Sequence, residues 1–352
     1  MSFEELLKGW GGEEAVVRHD ESTGAWMIVG IHSTVLGPAM GGTRLKQYDA
    51  PDDALRDALR LSGAMTAKQA VAGLPFGGGK AVLAVREVPA PGSPERRELL
   101  LRHGAFIESL HGTYVTAADM NTGEADMDVL GERTAHVLGR SVVNGGAGDP
   151  ATGTALGVFH GIAAACRQAF GAPDLAGRTV LIQGIGAVGD RLADHLHGAG
   201  AELLVADTHP ERAEAAAVRT GARVVGPDDV IGTPCDVYAP CAAGAVLSAA
   251  TIPALRCRVV AGAANNQLAT SEDAARVEAA GIVYAPDYVV NGGGVIWLAG
   301  YEALGWDDAQ MQARLAGIEQ TLAQVFADAE REGITAAEAA DRMAAERIAA
   351  AR

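Results

Sequence analysis

Residues 179–207 constrain the architecture more than any other stretch. Thr179-Val180-Leu181-Ile182-Gln183 is a short apolar run rich in β-branched residues, the pattern of a buried strand. It runs straight into Gly184-Ile185-Gly186-Ala187-Val188-Gly189. A helical pattern follows to His197, and a second strand, Glu202 to Ala206, ends in Asp207. Strand, G-x-G-x-x-G loop, helix and strand in that order lay a dinucleotide pyrophosphate on a helix N-terminus. Gly184, Gly186 and Gly189 supply the tight turn and the close backbone approach, with Ala187 and Val188 completing the loop. Asp207 stands where an acid accepts hydrogen bonds from the adenosine ribose. Its charge repels a 2′-phosphate, so NAD is expected rather than NADP.

Strand–helix units continue through Asp236-Val237-Tyr238, Val259-Val260-Ala261 and Ile282-Val283-Tyr284, which predicts a parallel sheet. Their ends carry Pro240-Cys241-Ala242, Ala264-Asn265-Asn266 and Pro286-Asp287. Cys241 has no histidine and acid with it and reads as a buried thiol. Thr152 to Gln168 reads as a helix. Asn291-Gly292-Gly293-Gly294 opens another, through Leu304, whose first N–H groups can face a ligand. Gly145 to Pro150 breaks the pattern and reads as a hinge. From Asp307 the chain is helical and rich in Ala and Glu, and is expected to pack back on the first domain.

The 352 residues suffice for two domains, and half of them are hydrophobic. The formal net charge of -16 argues against nucleic acid and anionic membranes as partners. No apolar run approaches a membrane span, and the acidic start MSFEELLKGWGGEE has no apolar signal core, so a cytoplasmic protein is expected. Cys166, Cys235, Cys241 and Cys257 lack metal spacing, the histidines are scattered, and no metal site is expected.

The first domain is read as strands at Ala15-Val16-Val17 and Ala25 to Ile31, then a glycine-rich stretch, Gly37 to Arg44, where Gly41-Gly42 is either a bulge or a place for backbone to meet a ligand. Pro51, Asp52 and Asp53 start a helix that carries Leu55, Ala58, Leu59 and Met65 and ends near Lys68. Gly77, Gly78 and Gly79 read as a turn, and Lys80 opens a strand, Ala81 to Val85. The stretch is not a phosphate loop, because Leu74 and Ala81 stand where that motif needs Gly and Ser or Thr. Two convergent ammonium groups would instead suit a carboxylate ligand, with one of them, desolvated, acting as a base. Residues 94–110 form an amphipathic helix. Tyr114 to Ala117 is a strand, and Asp119 lies in the loop at its C-terminal end, a candidate acid or base whose alternative role is helix capping.

GGTRLKQYDAPDDALRDALRLSGAMTAKQAVAGLPFGGGKAV, YVTAADMNT, QGIGAVG, DVYAPCA, VVAGAANNQLA and APDYVVNGGGV together resemble the amino-acid dehydrogenases acting on leucine, valine and phenylalanine, over residues 14 to 350. The resemblance implies an α/β fold with the active site in the cleft between a substrate-binding and oligomerisation domain (1–142 plus about 326–352) and a Rossmann-type NAD domain (143–325). It implies that Lys68 pairs with the substrate carboxylate, helped by Asn265 and the backbone at Gly41-Gly42. Lys80 is then the base that activates water, with Lys68 the neighbouring ammonium that lowers its pKa. Asp119 handles protons on the amino group and carbonyl oxygen, and Thr154 and Asn291 lie near the nicotinamide. Amino acid, 2-oxo acid and ammonia would be the small-molecule partners, and the assembly a homo-oligomer, dimer or octamer.

By the same resemblance Met40, Ala117, Val295 and Leu298 line the side-chain pocket. None can pair with a second carboxylate, so glutamate is disfavoured. Phenylalanine enzymes usually have glycine where this chain has Ala117, which favours branched-chain substrates. Leu298 and the nearby GYEALGW lean towards phenylalanine, and Gly292 departs from the usual NAGGV. A catalytically silent NAD-binding regulator is the alternative of another class. The presence together of Lys68, Lys80, Asp119 and Asn265 speaks against it.

Overall fold

The computed structural model describes residues 3–352. The chain forms two compact units: residues 1–149 with 298–305 and 344–352, and residues 150–297 with 306–343.

In the first unit, α1 (Phe3–Trp10) is followed by β1 (Glu14–Asp20), β2 (Ala25–Ser33), β3 (Ala39–Gln47), α2 (Pro51–Ala72), β4 (Gly77–Val85), α3 (Pro94–Glu108), β5 (Tyr114–Ala118) and α4 (Glu124–Leu130). The strands form one mixed sheet in the order β1-β2-β4-β3-β5. β1 and β2 are an antiparallel hairpin, β2 and β4 are antiparallel, and β3 runs parallel to both β4 and β5. The hairpin turns where Gly24 takes a left-handed φ of 68° and Asp20 accepts from the Thr23 N–H at 3.0 Å. β2 and β4 are buried almost throughout, as strands covered on both faces must be. One face packs Met27, Leu45, Leu83, Leu99, Phe106 and Tyr114, and the other packs Ile28 and Val82 with Ala54 and Ala58 of α2.

The structure corrects the expected turn at Gly77–Gly79, because all three glycines lie inside β4. The physical reason is close packing. A Cβ at Gly78 would stand 2.1 Å from the Thr66 nitrogen of α2, and one at Gly79 2.7 Å from the Tyr114 ring. These glycines let α2 and the Tyr114 ring of β5 lie against β4, so their role is internal. α2 runs past Lys68 to Ala72, and the left-handed Gly73 ends it. Arg347, far along the chain, donates to the carbonyls of that last turn, to Ala70 at 2.9 Å and to Val71.

The second unit begins with α5 (Ala151–Phe170), β6 (Thr179–Gln183), α6 (Ala187–Gly198), β7 (Glu202–Ala206), α7 (Pro210–Thr220) and β8 (Arg223–Val224). It continues with β9 (Val237–Pro240), β10 (Val259–Val260), α8 (Glu272–Ala279), β11 (Val283–Tyr284), α9 (Asp287–Val290), α10 (Gly293–Leu298), α11 (Asp308–Glu332) and α12 (Ala336–Ala350). The six strands are all parallel, in the order β11-β10-β9-β6-β7-β8. This is the doubly wound arrangement, with its reversal between β6 and β9, the place where such sheets bind ligands. α10 gives way to a π-helical turn, Ala299–Ala303, rather than continuing to Leu304. α11 packs along α5, so residues 326–343 group with this unit and only 344–352 with the first.

Candidate active site

In the first unit, Lys80 lies in the middle of β4 and Asp119 just past the end of β5, with β3 between those strands. β3 carries glycine at 41 and 42, so no side chain stands between them. A Cβ at Gly42 would come within 2.8 Å of the Asp119 Cβ, and one at Gly41 within 1.8 Å of the Gly79 oxygen. Lys80 Nζ reaches Asp119 Oδ1 at 2.8 Å, and the lysine side chain is only 5% exposed. The loop that presents Asp119 is pinned twice. The Asp119 N–H donates to Thr122 Oγ1 at 2.9 Å, and that hydroxyl donates to the Thr43 carbonyl at 2.8 Å. Asp119 therefore caps no helix, and Gly123 is the N-cap of α4.

Burial pushes the Lys80 ammonium below its ordinary range, Asp119 pulls it part of the way back, and Arg44 pushes it down again. Burial would raise Asp119, but Lys80 and Arg44 hold it well below the usual carboxylate range. Arg44, which sequence reasoning did not supply, is thus a cationic influence that lowers Lys80. Arg44 Nε donates to Asp119 Oδ2 at 2.8 Å and its Nη1 to Asp57 Oδ2 at 2.9 Å. Tyr48 donates to the same Asp57 oxygen at 2.7 Å, and Arg60 to the other at 2.9 Å. Asp57, Tyr48 and Arg60 were missed in the sequence. The available signal was an acid between Ala54 and Ala58 on the buried side of α2, facing the arginine that ends the Gly37–Arg44 stretch.

Lys68 lies near the end of α2, partly exposed. Met40 and Ala117 are buried on β3 and β5, and Leu298 is buried with its methyl groups near Gly139. Val295 is half-buried on α10.

In the second unit, Gly184 takes a φ of 98°, and a Cβ there would stand 2.5 Å from Ala242 Cβ. Gly189 lies against the Gly184 carbonyl, where a Cβ would come within 2.0 Å of that oxygen. By contrast, nothing lies within 4 Å of a Cβ built on Gly186, so the loop is open at its tip. Ala187 and Val188 begin α6 there. Asp207 at the end of β7 accepts the Ile185 N–H at 2.7 Å and the His209 N–H at 2.8 Å, so it also shapes the loop. Asn291 Nδ2 donates to Asn265 Oδ1 at 2.9 Å and to the Ala263 carbonyl at 3.1 Å. Its Oδ1 is buried with no hydrogen-bond partner among the described residues. Such an orphan is costly unless a ligand donor meets it. Thr154 Oγ1 donates to the Pro150 carbonyl at 2.9 Å and packs against Gly294. The open loop tip, the helix N-terminus and the orphaned amide oxygen fit a nicotinamide dinucleotide.

A mixed sheet carrying a buried lysine paired with an aspartate, followed by a doubly wound nucleotide unit, defines the class as an amino-acid dehydrogenase, an oxidoreductase. Residues 16–136 match the family model described as "Glu/Leu/Phe/Val dehydrogenase, dimerisation domain". Residues 203–352 match the one described as "Glutamate/Leucine/Phenylalanine/Valine dehydrogenase". The chain belongs to this glutamate/leucine/phenylalanine/valine dehydrogenase family.

It is similar to a leucine dehydrogenase of Thermoactinomyces intermedius, 42% identical over 99% of this chain and 94% of that protein. It is also similar to a valine dehydrogenase of Streptomyces albus, 44% identical over 97% of this chain and 93% of the relative. The solved L-tryptophan dehydrogenase of Nostoc punctiforme superposes with a TM-score of 0.84 at 37% identity, covering 99% of both chains.

Proposed function

We propose that the protein catalyses the NAD-dependent, reversible oxidative deamination of a branched-chain L-amino acid (leucine, valine or isoleucine) to the 2-oxo acid and ammonia. The observation that carries this reading is the buried Lys80 held 2.8 Å from Asp119. The leucine and valine dehydrogenases among its relatives support the substrate class.

A bound nicotinamide supplies the hydride acceptor. Gly184, Gly186, Gly189 and the start of α6 hold the pyrophosphate, and Asp207 receives the ribose hydroxyls and disfavours a 2′-phosphate. Asn291 Oδ1, which has no partner among the described residues, would accept from the carboxamide, and Thr154 would lie near the nicotinamide. Lys68 holds the substrate carboxylate, assisted by Asn265 and backbone at Gly41 and Gly42. Asp119 accepts the proton shed by the substrate amino group and returns it to the departing ammonia. Lys80, once neutral, takes a proton from water as the oxygen adds to the substrate iminium carbon. Met40, Ala117, Val295 and Leu298 meet an apolar side chain. An unpaired second carboxylate there would be costly, which disfavours glutamate. The dimerisation domain named for residues 16–136 supports a homo-oligomer, dimer or octamer.

An aromatic substrate is the second reading, favoured by Leu298 and by the likeness to a tryptophan dehydrogenase. The test is absorbance of reduced nicotinamide with NAD or NADP and a panel of leucine, valine, isoleucine, phenylalanine, tryptophan and glutamate. Fast NAD reduction with leucine or valine supports the branched-chain reading, and a preference for an aromatic amino acid overturns it. Silence on every amino acid while NAD still binds would replace it by a regulator.

A further inference from the structure

The chemistry proposed for Lys80 poses an electrostatic problem. Lys80 is almost wholly buried, and the carboxylate it pairs with, Asp119, is partly buried, its side chain 24% exposed. When Lys80 is neutral, Asp119 would be left as a partly buried anion, which is costly and would draw the proton straight back. A second, permanent cation solves this, and Arg44 is placed to be one. It is bonded to the Asp119 oxygen that Lys80 does not use, Oδ2 at 2.8 Å, while Lys80 takes Oδ1. A guanidinium does not lose its proton under any working condition. Arg44 is itself held from behind. Asp57 accepts its Nη1 at 2.9 Å, and Asp57 is fixed in turn by Tyr48 and Arg60. The arginine and Asp57 side chains are 15% and 16% exposed, so these charges are only weakly screened by solvent.

We propose that Arg44 is a positioning residue for the Lys80–Asp119 pair: it keeps Asp119 ionised and aimed when Lys80 gives up its proton, and Asp57 with Tyr48 holds Arg44 in that pose. The inference rests on the reading of Lys80 as the base. The charged and titratable groups that act on the pair include Arg44 of β3, Tyr48 beyond it, Asp57 and Arg60 of α2, and Tyr114 of β5. Arg44 and Asp57 push Lys80 in opposite directions, the first down and the second up. Their removal therefore has opposite consequences, which loss of packing alone would not produce.

Two measurements test this on the full chain. The first is the pH dependence of kcat/KM for leucine oxidation in wild type, Arg44→Met, Arg44→Lys and Asp57→Asn. The second is the rate of Lys80 acetylation by acetic anhydride against pH, read by peptide mass spectrometry, which needs no turnover. In Arg44→Met the acid limb of the profile and the acetylation midpoint are both expected to move up by about one pH unit or more, as for loss of a like charge within a few ångströms. Arg44→Lys restores most of that shift, and Asp57→Asn moves the midpoint down. An acetylation midpoint that stays put in Arg44→Met, or moves the same way in Asp57→Asn, overturns the proposal even if activity falls. Wild type idle on every amino acid, with the midpoints moving as stated, would overturn the proposed activity and leave the role of Arg44 standing. Thermal melting of each variant separates misfolded protein from a true shift.

Discussion

Gly78→Ala isolates the packing argument for the glycine run. Gly78 has no positive φ, so its backbone conformation is open to alanine and only space is at issue. The new methyl would stand 2.1 Å from the Thr66 nitrogen, 2.2 Å from its Oγ1 and 2.4 Å from its Cα. Carbon contacts settle at about 3.5–4.0 Å, so α2 and β4 must part by about 1–1.5 Å. Overpacking costs about 1–3 kcal/mol, and the clash is with helix backbone and not a flexible side-chain tip, which puts this one at about 3 kcal/mol. The loss of unfolded-chain entropy offsets about 0.4–1 kcal/mol. A net loss of about 2–2.5 kcal/mol lowers Tm by about 4–10 °C for a unit of this size. Scanning calorimetry reads it, with Gly232→Ala as control. Nothing lies within 4 Å of a Cβ on Gly232, so that variant is expected to stay within about 0.5 kcal/mol of wild type. Thr66 is two residues before Lys68, so kcat/KM for leucine is expected to fall as well. An unchanged or raised Tm in Gly78→Ala would refute the claim that close approach of α2 dictates glycine here.

Lys80→Ala is expected to keep NAD binding, followed by fluorescence titration, and to lose about 10²–10⁴-fold in turnover. Full activity would remove Lys80 from the mechanism. Asp207→Ser is expected to raise the NADP-to-NAD ratio of kcat/KM about tenfold, equivalent to about 1.4 kcal/mol. Some loss of NAD affinity should accompany it, because Asp207 also ties the Ile185 N–H. His103 is fully buried, and burial pushes its pKa down to about 3 from 6.5. Below pH 6.5 the unfolded chain takes up a proton that the folded chain refuses, so stability falls with pH. The expected contribution is about 2 kcal/mol lost between pH 7 and pH 5, absent in His103→Gln. Urea midpoints of both proteins at the two pH values check it, and equal slopes would contradict it.

The second unit was the more legible in sequence because its signals are local. A strand, its glycine loop and its acid lie within about 30 residues, and each constrains the next. The Asp207 contact to Ile185 follows from that spacing. The first unit was less legible, since its decisive contacts are between distant segments. Gly77 to Gly79 were read as a turn because glycine usually punctuates. Only the approach of Thr66 and Tyr114 reveals that they are strand residues stripped of side chains. Likewise, Lys80 and Asp119 stood out by residue type, whereas the partner that sets their charge, Arg44, depends on sheet order: β4, β3 and β5 must be neighbours before it can reach Asp119. Asp57 has no sequence signal beyond its neighbours on a helix, and its worth appears only when Arg44 is seen against it.

The hydrogen bonds from Arg347 to the last turn of α2 bear on how the protein is made. They join residues 277 and 276 positions apart, and the residues between them include all of the second unit. At about 5–20 residues per second, α2 waits tens of seconds on the ribosome before that clasp can reach it. The nucleotide unit is fully synthesised by then, and the helix bearing Lys68 is finished only as residues 344–352 emerge. A ribosome that stalls before residue 347 would leave a chain able to form its nucleotide loop, with the C-terminal carbonyls of α2 still unclasped.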